Sequence, residues 1–109
     1  MTTPKFSNNA TTTITARISN TDTTITVATG TGALFPTLGA GEYFKATLQD
    51  VNNNFEIVKV TARADDTMTV LRGQDGTLAV PFAANSRFEL RVLATNVQEY
   101  LDSIDFLLL

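Results

Sequence analysis

At 109 residues, with 43% hydrophobic and 17% charged side chains, the chain has the size and composition of one folded domain. Its net charge of −3 and pI near 4.7 argue against electrostatic binding of nucleic acid, which needs clustered Lys and Arg; only Arg87 and Arg91 sit close together. Absence of Cys excludes disulfides and thiolate chemistry, and absence of His removes the commonest general base and metal ligand.

Met1 to Asn9 is polar, carries Pro4 and is expected to lie extended or mobile, with Phe6 as its anchor. Residues 1–10 have no apolar core, so no signal peptide is expected, and no apolar run has the length of a membrane span. Thr11 to Ile18 alternates, with Ile14, Ala16 and Ile18 on one face, and predicts a strand. After the turn cluster Ser19–Asp22, Thr23 to Ala28 alternates again with Ile25 and Val27 inward, so these two strands are expected to form the first hairpin. In the irregular Gly30–Gly41 segment, Leu34, Phe35 and Leu38 are expected to pack under the loop, and a single helical turn near Gly32–Phe35 would be ended by Pro36.

Glu42 to Gln49 predicts a third strand, with Phe44, Ala46 and Leu48 opposite Tyr43, Lys45, Thr47 and Gln49. Asp50–Asn54 is a turn by composition, and Phe55 to Ala62 is the fourth strand, paired with the third. Ala64-Asp65-Asp66 breaks the pattern, and Thr67 to Leu71 resumes it with Met68 and Val70 on one face. That predicts a hairpin with the acidic pair at its solvated tip. Arg72-Gly73-Gln74-Asp75-Gly76-Thr77 reads as a turn, because Gly takes positive φ without steric cost. A phosphate cradle would need a following helix, and Pro81-Phe82 follows instead. Val80 and Phe82 are expected to dock on the core. Arg87 to Ala94 predicts the last strand, with Phe88, Leu90, Val92 and Ala94 inward.

The period then changes. Thr95-Asn96-Val97-Gln98 matches a capping box. Val97, Tyr100, Leu101, Ile104 and Leu108 follow at helical spacing, with Gln98, Glu99, Asp102 and Asp105 on the polar side. A helix this short needs a surface to dock on, either its own sheet or a neighbouring copy. Phe106, Leu107 and Leu108 complete an apolar end. The candidate interface is therefore Val97, Tyr100, Leu101, Ile104, Phe106, Leu107 and Leu108. If the helix belongs to the core instead, the loops around Gly30–Gly41 and Gly73–Asn85 become the places to seek an interface.

The expected architecture is mainly β: a small antiparallel β-sandwich or barrel-like domain of about six strands with a C-terminal α-helix. It divides into an extended N-terminal arm (1–10), a β domain (11–94) and a C-terminal amphipathic helix (95–109). No catalytic group, cofactor or metal is expected. Asp65 and Asp66 are not placed across a cleft as a glycosidase pair would be, and Ser without His cannot form a conventional triad. Asp50–Asn54 with Glu56 is oxygen-rich but lacks the spacing of a calcium loop. Tyr43 is either an exposed aromatic or packed on its cross-strand neighbour, the latter being favoured.

The pieces Thr24-Ile25-Thr26-Val27, GTGALFPTLGAGEYFKATL, FEIVKVTARADDTMTVLRGQDGT and PFAANSRFELRV resemble, in order and spacing, a small β module of tailed-bacteriophage virion proteins. It is found in tail-fibre, baseplate and tail-adaptor components. The resemblance implies an assembly part without chemistry, located in the virion tail after assembly in the bacterial cytoplasm. It implies contacts with tail tube, collar, baseplate or fibre proteins and a homo-oligomer, with a trimer favoured. The sequence closes at Leu109 with no receptor-binding region after the module, which favours an adaptor, collar or fibre-anchoring role. A capsid decoration protein and a carbohydrate-binding module are the alternatives. Neither nucleic acid nor membrane is an expected partner.

Overall fold

The computed structural model describes residues 3–7 and 10–91. Its elements are β1 (Thr3–Pro4), β2 (Thr11–Thr13), β3 (Thr24–Thr26), a 3₁₀ turn (Thr31–Leu34), β4 (Glu42–Gln49), β5 (Phe55–Ala64), β6 (Thr67–Gln74) and β7 (Arg87–Glu89). Six strands run in the order β2-β7-β4-β5-β6-β3 as one curled antiparallel sheet, and β1 joins β4 in parallel. The ends of the path meet: Ile14, just past β2, bridges Val27, just past β3. Thr15 N donates to Thr26 O at 2.9 Å and Ala28 N to Thr13 O at 3.0 Å. The sheet thus curls until its outer strands touch, which pairs backbone groups that an open edge would leave exposed. The fold is therefore mainly β and barrel-like, as the alternation implies.

Two hairpins form the centre. Gln49 pairs with Phe55 across a loop capped by Asp50, whose carboxylate accepts from Asn52 N and Asn54 N, both at 2.9 Å, and from Asn54 Nδ2 at 3.0 Å. Asn53 takes φ 65° there, a conformation Asn tolerates because its short side chain bonds locally. Ala64 pairs with Thr67 around Asp65-Asp66, with Asp65 at φ 55°. The β5–β6 ladder slips twice, between Ile57 and Lys59 and between Val60 and Ala62. The first slip sets Arg72-Gly73 opposite the single residue Val58, one extra residue on β6, with Gly73 at φ 61°. Such bulges bend and twist a hairpin, which suits a sheet that must curl.

The interior is lined by Phe44, Ala46 and Leu48 of β4, Val58 and Val60 of β5, Met68 and Val70 of β6, Ile25 of β3 and Phe88 of β7, with Ile14, Val27 and Phe82 beside them. Phe35, after the 3₁₀ turn, stacks on Phe44 at 5.6 Å between centroids and meets Phe88 edge-on at 5.3 Å. The Gly30–Gly41 loop is thus pinned by one aromatic side chain.

Several sequence expectations need correction. β2 and β3 do not form a hairpin: β2 pairs with β7 and β3 with β6, leaving one bridge between them. The predicted strand Thr11–Ile18 breaks after Ile14, because Ile18 turns to bridge Phe82, and Ala16 is exposed. Leu34 lies outward, 47% exposed, while Phe35 and Leu38 pack as expected. In the N-terminal arm the buried anchor is Pro4, and Phe6 is 40% exposed. The described part of the last predicted strand is β7, Arg87–Glu89, with Leu90 and Arg91 outside it; residues 92–94 lie outside the described residues. Tyr43, by contrast, is buried as the favoured reading has it, at 2% exposure, with Lys59 Nζ 4.4 Å from its ring centroid. The predicted helix 95–109 lies outside the described residues.

Candidate protein–protein interface

Strand phase explains the most constrained charged group. Glu56 shares the inward phase of Val58 and Val60, and Arg72 shares that of Met68 and Val70. Glu56 is accordingly fully buried. Its carboxylate accepts from Arg72 Nε at 2.8 Å and Nη2 at 2.9 Å, Gly73 N at 2.8 Å and Val80 N at 2.9 Å. Arg72 also donates from Nη1 to Ser19 O at 2.6 Å and Asp22 O at 2.9 Å, and from Nη2 to Val80 O at 2.7 Å. All five guanidinium N–H groups are therefore used. Burial pushes the Glu56 carboxyl up, but the hydrogen bonds from Arg72, Val80 and Gly73, together with the Arg72 charge, outweigh it and hold the group below the usual range. This pair ties β5, the β6 bulge, the Ser19–Asp22 turn and the connection through Val80 into one unit. The sequence reading took Arg72–Thr77 as a turn without its partner, although the inward phase of Glu56 and Arg72 was a usable signal.

Other acidic groups are also engaged by groups of the chain itself. Asp66 is not simply solvated at its hairpin tip: its carboxylate accepts from Gly30 N at 3.0 Å and Gly32 N at 2.9 Å. These two bonds hold its pKa below the ordinary value. Arg63 completes the latch from the same hairpin, donating to Pro36 O at 3.1 Å and Asp65 O at 3.0 Å. Glu42 accepts from Gly39 N at 2.7 Å and Glu89 from Arg91 Nε at 2.9 Å. Asp50 caps its loop while Glu56 points into the interior, so the two do not converge as calcium ligands. Among the described residues, no three acidic groups gather as a metal site, and no helix is long and apolar enough to cross a membrane.

The outward phase of β4 is buried as well: Tyr43, Lys45 and Thr47 are at 2%, 7% and 2% exposure. Lys45 Nζ lies 2.7 Å from Asp75 Oδ1. Ile57, facing the same way on β5, is at 8%. The alternation of β4 thus does not separate a wet face from a dry one.

Exposed apolar surface collects at the end of the sheet where the Asp50–Asn54 loop meets the Gly73–Asn85 connection. Phe55 is 54% exposed and Leu78 79%. Phe55, Leu78 and Pro81 line a groove of about 600 Å³, rimmed by Asn53, Asn54 and Thr77. The groove wall is fixed in place: Thr77 Oγ1 accepts from Ile57 N at 3.0 Å and donates to Gln74 O at 2.7 Å, and the Glu56–Arg72 pair holds Val80. An apolar floor with an amide rim has the chemistry of a protein contact. The Gly76–Pro81 side of this groove lies in one of the two loops that the sequence names as the alternative interface; its other side, Asn53–Phe55, was missed because Phe55 stands beside a turn, where strand phase gives no guide. The candidate interface residues Val97, Tyr100, Leu101, Ile104, Phe106, Leu107 and Leu108 lie outside the described residues.

No protein-family model and no characterised protein sequence matches the chain.

Proposed function

We propose that this chain is a non-enzymatic structural component of a tailed-phage virion, a tail-associated adaptor or fibre-anchoring part that works through protein–protein contacts. The observation that carries the reading is the groove formed by Phe55, Leu78 and Pro81 on a tightly braced end of the sheet. The acidic groups support it, because Glu42, Asp50, Glu56, Asp66 and Glu89 all hold backbone or basic groups of the chain itself. The order of the motifs around Arg72–Thr77 resembles the virion module, and the Glu56–Arg72 pair gives that motif a structural purpose. In this reading the chain is a homo-oligomer, a trimer, in the virion tail, with Val97, Tyr100, Leu101, Ile104, Phe106, Leu107 and Leu108 between copies and the Phe55–Leu78 groove toward a neighbouring tail protein.

Quantitative mass spectrometry of separated tails and capsids, from the phage that carries the chain, tests this. Recovery with tails in a multiple of three copies is expected. Recovery with capsids would replace the reading with a decoration protein, and absence from virions would end it. Light scattering on the full chain beside a version ending at Ala94 tests the helix, with a trimer that becomes a folded monomer as the expected result.

A further inference from the structure

Residues 3–5 lie along β4 as a parallel addition to an otherwise antiparallel sheet, Thr3 opposite Glu42 and Pro4 opposite Tyr43. Thr3 N donates to Gly41 O at 2.9 Å and Lys5 N to Tyr43 O at 2.7 Å. Backbone groups alternate along a strand, so the amide position of residue 4 faces away from β4, and proline, with no N–H to offer, stands there. The arm fills the β4 edge beyond the stretch paired with β7 and presents a proline to any further strand, which blocks lateral growth of the sheet. Of residues 3–7 only Pro4 is buried, and Ser7 Oγ donates to Leu34 O. Lys5 and Glu42 are 3.5 Å apart and both partly exposed, and Phe6 is 40% exposed. The slot, by contrast, belongs to the centre of the sheet: β4 pairs with β5 from Phe44 to Gln49, and Tyr43 and Phe44 are buried.

We infer that this slot is a strand-exchange site: residues 3–5 of a second copy of the chain occupy the β4 edge of the first, with Thr3 opposite Glu42. The occupant follows from the structure, since the segment seated on this edge is one that every copy carries. Exchange between chains makes the same backbone bonds and the same ion pair as closure within one chain. The balance is then set by chain concentration against the effective concentration of the tethered arm, on the order of mM for a short connection. A symmetric assembly reaches such local concentrations, while a dilute chain closes on itself. The inference concerns how copies join and stands whether or not the virion reading does.

The chain has no cysteine, so a single pair can be placed without background. Chains carrying Thr3→Cys are mixed with chains carrying Glu42→Cys at about 1 mM and oxidised, and the same mixture is oxidised at about 10 µM. A mixed disulfide dimer is expected at the higher concentration, several-fold above a control that pairs Thr3→Cys with Thr61→Cys, an exposed site on β5, and at control level after dilution. The double variant Thr3→Cys/Glu42→Cys, oxidised dilute, is expected to close within one chain. Mixed dimer at control level at every concentration overturns the inference, whether or not the double variant closes. If Glu42→Cys unfolds the chain, an isotope-filtered NOE between labelled and unlabelled copies of the natural chain reads the same Thr3–Glu42 contact, and its absence at mM concentration overturns the inference equally.

Discussion

Replacing Arg72 by Met is the sharpest test of the Glu56–Arg72 unit. The substitution keeps much of the side chain's length and removes all five donors. Glu56 keeps Gly73 N and Val80 N but loses its counter-charge, and the carbonyls of Ser19, Asp22 and Val80 each lose the Arg72 donor. Removing one partner of a buried ion pair costs about 3–5 kcal/mol, because the remaining charge stays in a medium that solvates it poorly. Domains of this size have about 5–15 kcal/mol in total. The loss should therefore shift the thermal midpoint down by roughly 10–20 °C. Urea unfolding followed by far-UV circular dichroism reads the free energy directly. The double variant Arg72→Met/Glu56→Leu should recover part of the loss, since no buried charge is left, but not all of it, since the Gly73 and Val80 amides then lack an acceptor. A single variant within about 1 kcal/mol of the natural chain would show that the pair does not brace the fold as its geometry implies.

Other consequences are directly measurable. The Glu56 carboxyl has a lowered pKa when folded, so its stabilising contribution is fully present above the unfolded value and disappears as pH falls through the folded one; urea titrations below neutral pH should show a steeper acid loss for the natural chain than for Glu56→Gln, and equal slopes would contradict the assignment. Gly32→Ala drives a methyl into the backbone carbonyl of Asp65 and should destabilise by about 1–3 kcal/mol through overpacking against backbone. Gly30→Ala meets no atom within 4 Å but sits at φ 82°, so its cost is conformational, about 1–2 kcal/mol, and calorimetry on the pair separates crowding from strain. Leu78→Ser, at a side chain 79% exposed, should leave stability within about 0.5 kcal/mol while abolishing co-purification with tails; retained co-purification would move the contact elsewhere.

Local pattern determined a good deal of this protein. The alternation in Glu42–Gln49 and Phe55–Ala64, with Asp and three Asn between them, specifies a hairpin whose register follows from its own loop. The breaks at Pro36 and at Asp65-Asp66 likewise act on adjacent residues, so they could be read directly. Which strands pair across long intervals could not. Thr11–Thr13 and Thr24–Thr26 both look like neighbours in sequence, yet β7 and β6 take them, and such long-range pairing leaves no mark in local periodicity. The fate of the charges also waited for the tertiary structure. Glu56 and Arg72 are sixteen residues apart; strand phase points both inward, and the register slip beside Gly73 is part of what sets one against the other. Asp66 reads as solvated until the Gly30–Gly32 backbone is brought against it. Strand periodicity says which way a side chain points; only closure of the sheet decides what it meets there.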